Sequence, residues 1–222
     1  MRELTRQFRD VSMSYMRSEA RAAQILACAK RVFAERGFHN ANISHICEAA
    51  GIGRGTLYQY FTNKRSVLTA ILRETLDRAR ALMHRQSTET TYPAPETLTR
   101  SAIVAFCARQ LRELFEIVFN DEHTLRIVLR EAVGLDVDVE KILGEIDETA
   151  IAILERDLIR AQKAGILREL DARAVATIVV GGIEKLAFKA LRSDAPLDLD
   201  KLAMDAVLLH TVGTLSDRVP NK

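Results

Sequence analysis

The chain is predicted to be all-α, and three observations predict it. Only four prolines and ten glycines punctuate its 222 residues. Ala, Leu, Glu and Arg fill long stretches in which apolar residues recur every three to four positions. No segment alternates with period two for long enough to predict a strand. A hydrophobic content of 48% with 28% charged residues belongs to a folded chain rather than a disordered one.

Taken in order, residues 1–17 read as a basic arm or a short helix. Leu4, Phe8, Val11 and Tyr15 fall at helical spacing beside Arg2, Arg6 and Arg9. A helix is predicted from Ser18 to Arg36, with Ile25, Leu26, Ala29, Val32 and Phe33 on its buried stripe and Gly37 as its left-handed stop. Asn42 caps a short helix from Ile43 to Ala50, because its side chain can accept from the free first-turn N–H groups. Gly51 and Gly53 supply a turn, and a second short helix runs from Arg54 to about Tyr60. Asn63 caps a long helix from Lys64 to about Arg85. Together these make a domain over 18–86, with a helix-turn-helix at about 42–61.

The segment from Ser87 to Pro95, with Pro93 and Pro95, is the clearest break. A second domain follows over 96–222. Its predicted helices are Glu96–Phe119, then Asp121–Val133 capped by Asn120, and Asp138–Ala164 stopped at Gly165. Asp171–Ser193 and Asp198–Ser216 complete about nine in all.

Charge is unevenly distributed. Residues 1–80 hold 14 Lys/Arg against 7 Asp/Glu, whereas 81–222 hold 18 against 23. A basic amino-terminal part on an acidic body suits a module that binds a polyanion. Cys28, Cys47 and Cys107 are odd in number and lie in apolar helical patterns, so they read as small core residues of a reducing compartment. No signal peptide opens the chain and no apolar run reaches the ~18–20 residues of a membrane span, which predicts a cytoplasmic protein.

The helix-turn-helix carries the functional signal. Its second helix presents Arg54, Thr56, Gln59 and Tyr60 while burying Leu57 and Phe61, which would set a polar face into the major groove of DNA. Small residues at Gly55 and Thr56 permit close approach. Arg54 stands at the helix amino terminus, where side chains and free N–H groups meet phosphates or base edges. Tyr58, Tyr60 and Lys64 are placed to reach the flanking phosphates.

The run Arg21, Ile25-Leu26, Ala29, Phe33, Gly37-Phe38, Ile46 and Ala50-Gly51-Ile52-Gly53-Arg54-Gly55-Thr56-Leu57-Tyr58-Gln59-Tyr60-Phe61-Thr62-Asn63-Lys64, then Leu68, resembles the DNA-binding domain of the TetR family of bacterial transcriptional regulators. The likeness covers about 55 residues. It implies a homodimer on a palindromic operator, usually repressing transcription until a small molecule binds the carboxy-terminal domain. It also implies contacts from Asn42, Ser44 and His45, and from Arg54, Gly55, Thr56, Tyr58, Tyr60 and Lys64. Gly53 departs from the Ser or Thr that commonly caps the second helix of this family. His45 departs from an acid or an arginine.

Other readings are weaker. Gly51-Ile52-Gly53-Arg54-Gly55 lacks the preceding strand of a phosphate-cradling loop. The five histidines show no metal-ligand spacing, and no nucleophile elbow appears, so neither a metal, a cofactor nor an enzyme is expected. The carboxy-terminal helices offer a bundle cavity. Phe106, Cys107, Gln110, Leu111, Phe115, Arg130, Ile146 and Ile153 are its expected lining. Few aromatics and no Trp argue for a hydrophobic or acyl-chain ligand over a caged cation. Val175, Val179, Gly182, Ile183 and Leu186, with Leu202, Ala206 and Leu209, form the expected dimer interface. The rival functions are an architectural or division-linked DNA-binding protein without effector, and an all-α enzyme or carrier.

Overall fold

A computed structural model of the chain describes residues 2–89, 99–119, 121–192 and 198–214, with 2–17, 87–89, 118–119 and 210–214 as backbone alone. Among the described residues it holds nine α-helices and one π-helical turn. The first four are α1 (Arg2–Arg36), α2 (Ile43–Ala50), α3 (Arg54–Tyr58) and α4 (Lys64–Glu89). After them come α5 (Arg100–Phe119), α6 (Glu122–Arg126), the π-turn (Ile127–Glu131), α7 (Val137–Lys163), α8 (Ala172–Ala190) and α9 (Leu199–Thr214).

Two elements differ from expectation. The first helix is continuous from Arg2, where an arm or a separate short helix was expected before a helix from Ser18. Residues 2–36 contain neither Gly nor Pro, so nothing ends the helix before Gly37, whose φ of 76° is left-handed. The stripe of Leu4, Phe8, Val11 and Tyr15 lies outside the described side chains. The expected helix from Asp121 to Val133 instead stops at Arg126 and widens into the π-turn, closed by Ala132 N donating to Ile127 O at 2.9 Å. Residues five apart would diverge on an α-helix, and the wider turn lets Ile127 and Ala132 enter the same core, both fully buried. Asp121 caps α6, its carboxylate accepting from Thr124 N at 3.0 Å and Thr124 Oγ1 at 2.6 Å. The cap expected at Asn120 lies outside the described residues, as do the Ser87–Pro95 break beyond Glu89 and the expected ends at Glu96, Ser193 and Ser216.

Two apolar clusters organise the chain. In the first, Ile25 and Phe33 of α1, Ile46 of α2, Leu57 of α3 and Leu68 and Ile71 of α4 pack together. Ile127, Ala132, Val139 and Ile142 complete it, so the amino-terminal helices close their core only with the π-turn and the start of α7. The second joins Leu82, Leu111, Leu114, Phe115, Ile153, Val179, Ile183, Ala203 and Val207, from α4, α5, α7, α8 and α9. Fully burying an aromatic the size of Phe115 contributes ~1.5–3 kcal/mol. Helices α4 and α7 run through both clusters, which makes them the shafts between the two ends.

This packing corrects part of the expected interface. Val179 and Ile183 face the protomer's own second cluster and are buried there, with Val175, Leu202 and Ala206 packed against it. Of the expected residues, Gly182, Leu186 and Leu209 do face outward, with Leu209 78% exposed, and Ile178 and Gly181 of α8 and Met204 and Leu208 of α9 face outward with them.

Candidate nucleic-acid interface

Helix α2 begins with a reciprocal cap. Asn42 Oδ1 accepts from His45 N at 3.0 Å, and His45 Nδ1 accepts from Asn42 N at 3.3 Å. Its last carbonyls, left without intrahelical donors, accept from α1: Cys28 Sγ donates to Ala49 O and Gln24 Nε2 to Ala50 O. Gly51 then adopts φ 64° and donates back to α2, reversing the chain in three residues. Gly53 is extended at φ −75° and opens α3 without a side-chain cap.

Helix α3 buries Leu57 completely and leaves Arg54, Gly55, Tyr58 and the following Gln59 exposed, with Thr56 and Tyr60 half-buried. Tyr60 and Phe61 pack against the first cluster. Arg54 donates to the Ser44 hydroxyl, so the starts of α2 and α3 form one polar edge of Asn42, Ser44, His45 and Arg54. A Cβ added at Gly53 or Gly55 would meet nothing within 4 Å. The fold itself therefore has space for a side chain at both positions.

Lys64 departs from expectation. Its ammonium donates to the carbonyls of Phe38, Ala41 and His39, at 2.6, 2.8 and 3.2 Å, and lies 4.4 Å from the Phe38 ring centroid. In the free protein it therefore fastens the α1–α2 loop to α4, although a phosphate contact was expected.

Polar links tie this head to the rest. Lys30 of α1, nearly buried, stands 3.1 Å from Glu74 of α4 and 3.3 Å from Asp121 at the start of α6. Phe38 N donates to Glu131 of the π-turn at 2.9 Å. Arg65 of α4 bridges Asp136 and Asp138, each at 2.7 Å, as α7 begins. Hydrogen bonds from Arg65 hold the Asp136 carboxyl below its ordinary range. Burial works to raise the Asp121 carboxyl but is outweighed by its bonds from Thr124 and the charge of Lys30, so it too is lowered.

The expected ligand lining is brought together only in part. Cys107, Leu111, Phe115 and Ile153 meet at the second cluster. Burial pushes the Cys107 thiol up to about 11, with Asp157 adding to the rise. Ile146 packs against the first cluster, and Arg130 is exposed on the π-turn that closes it. Neither lines the bundle as expected, because the helix carrying Arg130 is re-phased and Ile146 sits too early on α7. Half-buried Phe106 holds the Arg109 guanidinium 5.6 Å from its ring centroid. Gln110 joins a polar network that the sequence did not reveal. Its Oε1 accepts from the buried Gln86 at 3.2 Å, and Gln86 Oε1 accepts from Arg156 at 3.4 Å. Arg156 also pairs with Asp157 at 3.0 Å and donates to Met83 O at 2.8 Å. Long, partly apolar side chains on three helices carry no spacing signal that could have found this network.

Residues 25–71 match the family model of bacterial regulatory proteins of the tetR family. Over 192 residues the chain is 27% identical to the fatty acid metabolism regulator protein of Bacillus subtilis, covering 86% of this chain and 93% of that one. The fold is shared with the fatty acid degradation regulator FadR of Bacillus halodurans, with TM-score 0.73 and 23% identity over 90% of this chain and 97% of that one. It is also shared with the transcriptional regulator FadR of Bacillus subtilis, solved in complex with stearoyl-CoA. There the TM-score is 0.69 and the identity 22%, over 86% and 98% of the two chains.

Proposed function

For a chain that belongs, through its amino-terminal domain, to the TetR family of bacterial transcriptional regulators, we propose a homodimeric repressor released from a palindromic operator by an apolar, acyl-bearing ligand. The observation that carries the reading is the outward row of Arg54, Gly55, Tyr58 and Gln59 on a helix anchored by the fully buried Leu57. In this reading α3 enters the major groove. Thr56 and Gln59 select bases, and Asn42, Ser44, His45, Tyr58 and Tyr60 reach the backbone. Lys64 supports the loop and adds positive field rather than a direct bond. The second apolar cluster is aliphatic apart from Phe115, and fatty acid metabolism and stearoyl-CoA stand in the names of similar proteins, which supports an acyl chain as the ligand's apolar part. The protein binds and does not catalyse. Its dimer forms through the outward face of α8 and α9, which leaves Ile178, Leu186, Leu208 and Leu209 to be covered by a second copy. The test is fluorescence anisotropy on DNA from upstream of its own gene, with and without acyl-CoA. Tight binding that acyl-CoA weakens is the expected result, and acyl-CoA without effect on a firmly bound operator would remove the ligand from the account.

A further inference from the structure

A groove of about 870 Å³ runs between α4 and α7, from the loop after α3 towards the bundle. Two direct ion pairs span it. Arg65 of α4 meets Asp138 of α7 at 2.7 Å beside the reading head, and Arg80 meets Glu145 at 3.0 Å farther along. In sequence, Arg73 falls midway between the two bridging arginines on the α4 wall, and Lys141 midway between the two acids on the α7 wall. Both are exposed, and neither has a hydrogen bond or ion pair among the described residues. Asp77, one turn beyond Arg73, is exposed and unpaired as well. Arginine before an acid is the weaker order for a pair one turn apart, and here the two do not meet. Beneath these groups the buried Leu76 and Ile142 give the groove an apolar floor.

Walls joined by direct ion pairs admit no duplex, and the volume is that of a small-molecule site. The middle of the groove sets two cations on opposite walls, with Asp77 the one unengaged acid beside them. A phosphate there accepts charge-assisted bonds from both, the guanidinium offering a fork and the ammonium a point charge. A carboxylate can only accept, so Asp77 calls for a hydroxyl from the same ligand. We propose that the α4–α7 groove is a second ligand site, for a small phosphate ester that carries hydroxyl groups, a phosphorylated sugar or polyol. Arg73 and Lys141 hold its phosphate, and Asp77 accepts from a hydroxyl. Its carbon skeleton lies over Leu76 and Ile142. The ligand is hydrophilic and its site lies outside the apolar cluster of the bundle, so the proposal goes beyond the regulator reading and does not rest on it.

Calorimetry on the full-length protein at low salt, with ribose 5-phosphate, inorganic phosphate and ribose, tests it. Ribose 5-phosphate should bind, inorganic phosphate several-fold more weakly, and ribose not at all. Arg73→Gln and Lys141→Gln should each weaken ribose 5-phosphate by about tenfold, through loss of a charge-assisted bond, and Arg73→Lys should restore part of the difference. Asp77→Ala should bring ribose 5-phosphate down to the level of inorganic phosphate without weakening phosphate itself. Arg168→Gln, at an exposed position on the loop before α8, should change nothing. All four side chains are exposed, so these variants keep the fold, which circular dichroism checks. A folded Arg73→Gln or Lys141→Gln that binds like the parent overturns the proposal. So does an equal loss in Arg168→Gln, which would make the effect one of net charge, and so does failure of ribose 5-phosphate to bind. Equal affinity for the ester and inorganic phosphate overturns the assignment of Asp77 and with it the class of ligand.

Discussion

Lys64 illustrates what a single side chain can do beyond the role its position implies. Three carbonyls of the loop after α1 converge on its ammonium, so removing it strands acceptors as well as a charge. Lys64→Met is expected to lower the unfolding free energy by ~1.5–3 kcal/mol, read by urea denaturation. Unchanged stability with weakened DNA binding would return Lys64 to the phosphate role. Asp121 makes a pH-dependent contribution of known sign. Its folded pKa is lowered, so its stabilisation is complete above the unfolded carboxyl value of ~3.9 and is lost as pH falls through the folded value. Asp121→Asn keeps the helix cap but removes the charge facing Lys30. The variant should therefore melt lower than the parent at pH 6, and the gap should close as pH falls below the ordinary carboxylate range and the lowered Asp121 carboxyl is protonated. A gap that persisted at low pH would mean the carboxylate charge is not what matters. Cys107, with its thiol near 11, should resist iodoacetamide at pH 8 until the bundle unfolds, and rapid labelling of the native protein would contradict its burial.

At the scale of elements, what could be read in the sequence was whatever is decided locally. The Asn42 cap, the left-handed Gly37 and Gly51, and the burial of Leu57 between polar neighbours all follow from residues within one or two turns. The π-turn was not legible, because an α-helix through Val133 satisfies every local preference. Only a distant core that takes in both Ile127 and Ala132 makes the wider turn favourable. The polar network was hidden for the same reason, since Gln86, Gln110 and Arg156 meet across three helices. Deleting Val128 should restore ordinary helical pitch and leave Ile127 and Ala132 four residues apart on one face of an α-helix, so both should stay in the core and the bond from Phe38 to Glu131 should survive. Hydrogen exchange at Phe38 and along α2 should then be unchanged, whereas quickened exchange would show that the extra residue of the π-turn itself braces the reading head.

For the whole molecule, the helical architecture and reading head could be inferred, but the orientation of α8 could not. An apolar helix packed on two sides does not announce which stripe meets its own chain. Ile183 belongs to the protomer core, so Ile183→Asp should unfold the protein by burying an unpaired carboxylate. Ile178→Asp or Leu209→Asp, both at exposed positions, should leave a folded monomer by light scattering and circular dichroism. A folded dimer from both exposed-face variants would place the interface elsewhere.

Whether two copies of α3 read a symmetric DNA site is measured by selecting bound duplexes from a random library and then titrating the best sequence with salt. An enriched inverted repeat is expected, with half-site centres ~34–36 Å apart or a multiple of that. Affinity for it should fall by orders of magnitude between ~50 and ~200 mM salt, while remaining well above that for scrambled DNA. A library that yields no symmetric sequence, with selected and scrambled duplexes bound alike, would contradict it.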